Sequence, residues 1–112
     1  KKRKVDMIVI HSISLPPGQF GGDDIIALFT NTLNVSLHPS YTTLEKLRVS
    51  AHYLIRRNGD IIQFVNTDNI AWHAGKSEFR GRTDCNKYSI GIELEGDINH
   101  PFELSQFLPP LQ

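Results

Sequence analysis

Histidine and glutamate side chains offer the most specific chemistry in this chain of 112 residues. His11 follows a short apolar run, residues 7–10, and is soon followed by SLPPGQFGG, where prolines and glycines prevent regular structure. A histidine where a buried strand opens into such a loop is typical of metal ligands and catalytic groups. Neutral imidazole is the commonest zinc ligand, but the other histidines show no close ligand spacing such as HExxH. The spacing by itself therefore leaves the role of His11 open.

Two glutamates lie in the run SIGIELEG, whose alternation predicts a strand. Ile90, Ile92 and Leu94 fall on one face of this strand, and Glu93 and Glu95 fall on the other. A carboxylate that borders a partly enclosed polar space can hold a proton or remove it from a bound water. Two solvent-facing carboxylates would give the same alternation, so the pattern does not choose between the two interpretations.

Further candidates lie in the middle of the chain. Arg48 precedes a predicted hairpin, and its guanidinium can hold a ligand carboxylate through two hydrogen bonds. Trp72 and His73 lie in AWHAG, whose small residues let a ligand approach the rings, although a tryptophan that anchors the core fits the sequence as well. His52 either lines the same cavity or packs as a structural histidine. Cys85 lies in a polar stretch with no neighbouring base, which favours a loop thiol over a nucleophile.

Short elements must position these groups. We predict a strand over residues 7–10 that is buried on both faces and ends at His11, then a short amphipathic helix after Asp24. Strands over residues 50–57 and 60–65 should form a hairpin through a two-residue Asn58-Gly59 turn.

The rest of the chain reads as irregular. Residues 31–43 are predicted to be irregular, with at most a brief helical turn through Leu44 and Leu47. Residues 78–87 form a polar stretch, and prolines leave the tail after residue 97 without an element of its own. Together these elements predict an α/β fold built on a single mixed β-sheet with few flanking helices, in one domain over residues 1–112.

Charge and composition narrow the partners. The formal net charge is zero, so no global field would attract nucleic acid or anionic lipid, and no apolar run is long enough to span a membrane. A single cysteine fits a reducing compartment, and we expect a soluble cytoplasmic monomer. The N-terminal KKRKV is either a short nuclear-localisation or phosphate-binding patch or, more simply, a solvated charge run.

Four segments carry a family resemblance when taken together: IVIHSISLPPGQFGG, LRVSAHYLIRRNGDIIQFV, AWHAGKS and NKYSIGIELEG. In order and spacing, over about residues 7–98, the chain resembles the AmpD-like branch of the type 2 N-acetylmuramoyl-L-alanine amidases, relatives of the peptidoglycan recognition proteins. The resemblance implies an α/β amidase fold. It also implies Zn2+-dependent hydrolysis of the amide between N-acetylmuramoyl, in its 1,6-anhydro form, and L-alanine of muropeptides, during cytoplasmic cell-wall recycling. By position, the resemblance implies His11 as a zinc ligand, Glu93 as the catalytic glutamate, and Arg48, Trp72 and His73 as substrate contacts.

The resemblance also shows what is missing from this sequence. In the family a helix follows IGIELEG, and beyond it lie a second histidine ligand, a catalytic lysine and an aspartate ligand. Here the chain reads FELSQFLPPLQ and contains none of those motifs. We therefore expect a partial amidase domain with an uncovered sheet face, weak zinc binding and little amidase activity. A zinc-free module that binds muropeptide without cutting it is the alternative.

Overall fold

The fold is a four-stranded mixed sheet, seen in a computed structural model that describes residues 3–107. The elements are β1 Met7–Ile13, α1 Asp24–Phe29, β2 Tyr53–Ile55, β3 Ile61–Gln63, β4 Glu78–Phe79, β5 Arg82–Thr83 and β6 Ser89–Glu95. The strand order of the sheet is β1-β6-β2-β3, in which β6 runs parallel to β1 and β2, whereas β2 and β3 are antiparallel. A separate two-stranded hairpin is formed by β4 and β5. The predicted α/β fold on a single main mixed sheet is confirmed.

One face of the sheet carries the core. The predicted helix is confirmed as α1, with an acidic residue in its first turn, where the helix dipole favours negative charge. Its Ile25 is almost fully buried, together with Leu54 of β2 and Tyr41. The Tyr41 hydroxyl donates a 2.6 Å hydrogen bond to Asp24 Oδ2, which ties the helix to the segment that follows it. The helix is thereby fixed over the sheet.

The opposite face of the sheet is largely uncovered. Ile8 and Ile10 of β1 are each 62% exposed, and they lie in register with the half-buried Ile90 and Ile92 of β6. The prediction that β1 is buried on both faces is wrong, because β1 is an edge strand and its outer isoleucines have no covering element among residues 3–107. The prediction of an uncovered sheet face is confirmed.

Two boundaries differ from the sequence prediction. Pairing with β6 extends β1 to Ile13, so His11 lies inside the strand and not at its end. The hairpin is antiparallel as predicted, but its strands are shorter and its loop contains three residues. Arg56 N–H donates to Asp60 O, Gly59 N–H donates to Arg56 O, and Gly59 has a φ of +91° while Asn58 has no positive φ. This is the turn with a left-handed glycine, and not the two-residue turn, which requires positive φ at both central residues.

Side-chain hydrogen bonds order segments that read as irregular. Two 3-10 helices, Val35–Leu37 and Pro39–Leu44, lie largely in the segment that was predicted to be irregular, and β4 and β5 lie in the polar stretch of residues 78–87. The tail has its own 3-10 turn, Leu104–Gln106, because Gln106 Nε2 donates to the carbonyls of Ile55 and Glu95. Prolines 109 and 110 lie outside the described residues.

The basic N-terminal run is not simply solvated. Its first two residues lie outside the described part of the chain, but the guanidinium of Arg3 donates to four backbone carbonyls, those of Thr67, Asn86, Lys87 and Ser89. This arginine therefore fastens the entry to β1 against the entry to β6. Within residues 3–107, no helix has the length and apolar character needed to cross a bilayer.

Candidate functional site

His11 and Glu93 lie side by side on neighbouring strands. The parallel pairing of β1 with β6 places His11 opposite Glu93, and residues that are paired in a sheet project from the same face. His11 is half-buried, and Glu93 is only 5% exposed. The two groups that the resemblance singled out are thus brought together by the sheet itself.

The carboxyl of Glu93 is buried without a compensating charge. Burial raises its pKa from the ordinary 4.5 to about 8, and no hydrogen bond or cation among the described residues offsets that cause. A group with such a pKa can exist as acid or carboxylate near neutral pH, which general acid-base catalysis requires. The interpretation of Glu93 as a solvent-facing carboxylate is wrong.

Glu95 has a structural role on the same strand. It is 1% exposed, and its Oε2 accepts hydrogen bonds from Arg56 Nη2 at 2.9 Å and Gly21 N–H at 2.8 Å. Its Oε1 accepts a third bond, from Arg57 N–H at 3.2 Å. These bonds hold the loop after β1 and the hairpin against the sheet. Glu93 and Glu95 therefore have different roles although they lie on the same face of the strand.

His73 reaches the site from the loop before β4. Its Nδ1 lies 3.1 Å from Nε2 of His11, and its Nε2 lies 3.1 Å from Oγ of Ser89. Burial, followed by the nearby charge on His11, lowers the pKa of His73 to about 4, and burial also lowers the pKa of His11. Both rings are therefore neutral at pH 7, and a neutral imidazole offers one lone pair.

Two residues that sequence reasoning missed hold His73 in place. A Cβ at Gly91 would lie 2.3 Å from Cδ2 of His73, so only glycine allows the ring to lie on β6. The buried Asn86 accepts hydrogen bonds through Oδ1 from the backbone N–H groups of His73, at 3.1 Å, and Ala74, at 2.9 Å. Gly91 had a signal in the sequence, because an isolated glycine in a strand often marks a close approach.

His52 is structural. It is fully buried, its Nδ1 accepts from the Gly91 N–H at 3.0 Å, and its Nε2 lies 2.8 Å from the carbonyl oxygen of Asn69. Both ring nitrogens are therefore engaged by the backbone. The packed interpretation of this histidine is confirmed.

Arg48 and Trp72 lie beside the histidines on an exposed rim. The Trp72 side chain is 58% exposed, so the interpretation of a core-anchoring tryptophan is wrong. Its backbone is fixed, because Trp72 N–H donates to Ser50 Oγ and Ser50 N–H donates to Trp72 O. Arg48 and Trp72 line a cavity of about 310 Å³ together with His73. Their roles as substrate contacts stay predictions.

Cys85 is not a loop thiol. It begins a 3-10 helix, Cys85–Tyr88, and is 3% exposed. The Tyr88 hydroxyl donates to its sulfur at 3.2 Å. This thiol is therefore packed below the surface.

The ligand set for zinc is incomplete in the described part of the chain. A structural or catalytic zinc site uses at least three protein ligands, and residues 3–107 contain no group of three histidine, cysteine, aspartate or glutamate side chains that could hold a metal ion. The nearest arrangement is the pair of neutral histidines, His11 and His73. The residues present therefore do not fit a complete zinc site.

A family comparison agrees with this geometry. Residues 1–108 match the family described as N-acetylmuramoyl-L-alanine amidase. The chain belongs to this amidase family. The amidase domain is matched along almost the whole of the chain, which is the assignment that its four segments indicated.

Curated relatives make the comparison more specific. The 1,6-anhydro-N-acetylmuramyl-L-alanine amidase AmpD of Salmonella typhimurium strain LT2 is 57% identical over 93 residues, which are 83% of this chain and 50% of that protein. AmpD of Escherichia coli K12 is 58% identical over 90 residues, which are 80% of this chain and 49% of that protein. This amidase-family chain thus spans about half the length of the curated relatives it matches.

Solved structures share the fold. A crystal structure of a Se-Met AmpD derivative aligns with a TM-score of 0.90 at 51% identity, covering 93% of this chain and 58% of that one. The amidase AmiD of E. coli, in complex with anhydro-N-acetylmuramic acid-L-Ala-D-gamma-Glu-L-Lys, aligns with a TM-score of 0.59 at 32% identity and covers 96% of this chain and 40% of that one. The chain therefore shares its fold with these two proteins.

Proposed function

We propose that this polypeptide is part of an amidase that hydrolyses the bond between 1,6-anhydro-N-acetylmuramic acid and L-alanine in muropeptides during peptidoglycan recycling. The names of the AmpD relatives and the substrate in the AmiD complex support this choice of substrate. The carrying observation is structural: the buried carboxyl of Glu93, which has no hydrogen-bond or ion-pair partner among residues 3–107, lies beside His11 on adjacent parallel strands.

The proposed role of Glu93 is proton transfer. As a carboxylate it takes a proton from the attacking water while the water oxygen bonds to the lactyl carbonyl carbon. As an acid it returns that proton to the alanine nitrogen while the carbon–nitrogen bond breaks, so the products are the free muramic carboxyl and the free peptide amine. A positioned acid-base group contributes about a hundred- to ten-thousand-fold to such rates.

Zinc is part of the proposal, with His11 as its ligand from this chain. Since residues 3–107 do not complete the coordination set, the further ligands must come from outside them. Metal affinity depends on a complete and oriented ligand set, so we expect the chain of 112 residues to bind zinc weakly and to turn over slowly.

Turnover of the anhydro-muropeptide tests the proposal. We would measure release of the L-alanyl peptide by mass spectrometry, together with the zinc content of the protein, for the chain as it stands and for a longer amidase that contains it. Glu93→Gln should reduce turnover of the longer enzyme by at least about a hundredfold, whereas Glu45→Gln, which removes an exposed carboxyl, should not. Stoichiometric zinc with full turnover by residues 1–112 alone would contradict the incomplete site.

A zinc-free muropeptide-binding module is the second candidate. It is favoured by the lack of a three-ligand group among residues 3–107. Binding of muropeptide that is unchanged by a chelator, with no product in either the short or the longer protein, would support the module against the amidase.

A cytoplasmic location and a monomeric state also belong to the proposal. The single cysteine fits a reducing compartment, and the zero net charge offers no general attraction to nucleic acid or anionic lipid. Fractionation of cells and sedimentation of the purified chain would test the two points.

A further inference from the structure

The ring of His73 lies across one face of β6. Ser89, Gly91 and Glu93 alternate along this strand and therefore project from the same face, on which His11 of β1 also lies. A Cβ at Gly91 would lie 2.3 Å from Cδ2 and 2.4 Å from Cγ of His73. The ring thus fills the space of the absent side chain and connects Ser89 with His11.

Both nitrogens of this ring are engaged by other side chains. Nε2 of His73 lies 3.1 Å from Oγ of Ser89, and Nδ1 lies 3.1 Å from Nε2 of His11. A neutral imidazole has one N–H group and one lone pair, so His73 accepts one of these hydrogen bonds and donates the other. In this Ser89–His73–His11 network, the position of the proton on one ring therefore depends on its position on the other.

The hydroxyl of Ser89 sets the direction of the hydrogen bonds. Ser89 is fully buried, and His73 is the only partner that its Oγ has among residues 3–107. Leaving a buried donor without an acceptor is less favourable than leaving one oxygen lone pair unused, so the hydroxyl donates to Nε2 of His73. His73 then has its proton on Nδ1 and donates to Nε2 of His11, whose own proton lies on Nδ1.

We propose that Ser89 and His73 are positioning residues, which fix the ring of His11 and place its proton on Nδ1. The inference rests on the proposed function, in which His11 belongs to the site, and it adds Ser89 to that function. It also gives His73 a different role from the substrate contact that the family resemblance implies, because neither of its nitrogens is left for a substrate. Nδ1 of His11 has no partner within the described part of the chain, so it is the nitrogen that a ligand meets.

Long-range proton–nitrogen NMR spectra of the metal-free chain test the proton positions, because a protonated ring nitrogen and a bare one differ strongly in chemical shift. The spectra are recorded at about pH 8, where both rings are neutral. His11 and His73 should each have the proton on Nδ1. His52 is an internal reference, because its Nδ1 accepts from the Gly91 N–H and its proton must therefore lie on Nε2.

Substitutions then test each member of the network. Ser89→Ala removes the donor that keeps a proton off Nε2 of His73, so this ring should populate both tautomers and show intermediate nitrogen shifts. His73→Phe removes the donor to Nε2 of His11, which should no longer be confined to the form with its proton on Nδ1. Ser12→Ala, in an exposed serine of β1, is the matched control and should change neither ring.

Turnover gives a second measurement. In a longer amidase that contains this chain, Ser89→Ala should lower kcat by about two- to tenfold, the factor expected when one hydrogen bond that orients a reacting group is lost. KM should change little, because Ser89 is fully buried and does not meet the substrate. Ser12→Ala should leave both constants unchanged.

The outcomes separate these positioning roles from the proposed function. If His11 or His73 has its proton on Nε2 in the unaltered chain, or if Ser89→Ala leaves the nitrogen shifts of His73 unchanged, the positioning roles are refuted and the amidase proposal stands. If Glu93→Gln retains full turnover in the longer enzyme, the proposed function fails. The positioning roles then fail as part of a reaction, whatever the NMR spectra show.

Discussion

Replacing Glu93 with glutamine tests whether its carboxyl is protonated in the folded protein at neutral pH. Burial raises the pKa of this group from 4.5 to about 8, whereas the unfolded chain exposes it to water and restores the ordinary value. Between these two pH values the folded state holds one proton more than the unfolded state. The free energy of unfolding must therefore fall as the pH rises through this window.

The magnitude follows from the two pKa values. Each pKa unit corresponds to about 1.4 kcal/mol, so the shift amounts to at most about 5 kcal/mol between pH 4.5 and 8. The contribution is fully present below pH 4.5, decreases by up to about 1.4 kcal/mol per pH unit and is lost above pH 8. Glutamine has nearly the same shape and does not titrate, so the variant should lack this slope.

The assay is urea unfolding of the metal-free protein from pH 4.5 to 9, followed by far-UV circular dichroism, since the exposed Trp72 would report poorly on burial. Groups that do not contact residue 93 contribute equally in the two proteins and cancel in the difference between them. We expect the variant to gain stability relative to the parent as the pH rises. Parallel curves for the two proteins would show that Glu93 is already ionised in the fold and would refute the reasoning. Glu45→Gln controls for the loss of an exposed carboxyl.

Three other outcomes follow from the packing. Gly91→Ala should displace the ring of His73, whose Cδ2 lies 2.3 Å from the added methyl position, and should lower the free energy of unfolding by about 1–3 kcal/mol. Chemical denaturation and histidine NMR shifts measure the two effects. The control Gly22→Ala, whose methyl position has no atom within 4 Å, should cost less. Arg56→Leu should cost about 3–5 kcal/mol because it leaves the buried Glu95 carboxylate without its cation; a loss below about 1 kcal/mol would contradict this. Ile10→Ser should reduce aggregation and the binding of a dye for exposed apolar surface, with little loss of stability, because Ile10 is 62% exposed. Unchanged aggregation would show that a different surface causes it.

Local patterns predicted much of the framework. The apolar spacing after Asp24 predicted α1, the Asn58-Gly59 pair predicted the hairpin, and the alternation in SIGIELEG predicted which face carries Glu93. These predictions succeeded because each depends on residues close together in the chain. The predicted two-residue loop of the hairpin was wrong, because Gly59 adopts the left-handed conformation and Asn58 does not.

The burial of individual side chains was harder to predict than the secondary structure. Alternation placed Glu93 and Glu95 on one face of the strand. It could not show that Glu95 is bound to Arg56 while Glu93 has no such cation among residues 3–107, because Arg56 follows a different strand. The burial of Trp72 could not be predicted either, because its small neighbouring residues fit a tryptophan in the core as well as one on the exposed rim.

Ordered motifs and local spacing were enough to predict the family, the mixed sheet and the candidates His11 and Glu93. The placement of these two groups relative to each other depends on packing between distant segments. The parallel pairing of β1 with β6 sets His11 beside Glu93, and the missing side chain of Gly91 lets His73 reach His11. Both contacts join segments far apart in the chain, and their geometry depends on strand register and on available space, which no local pattern encodes.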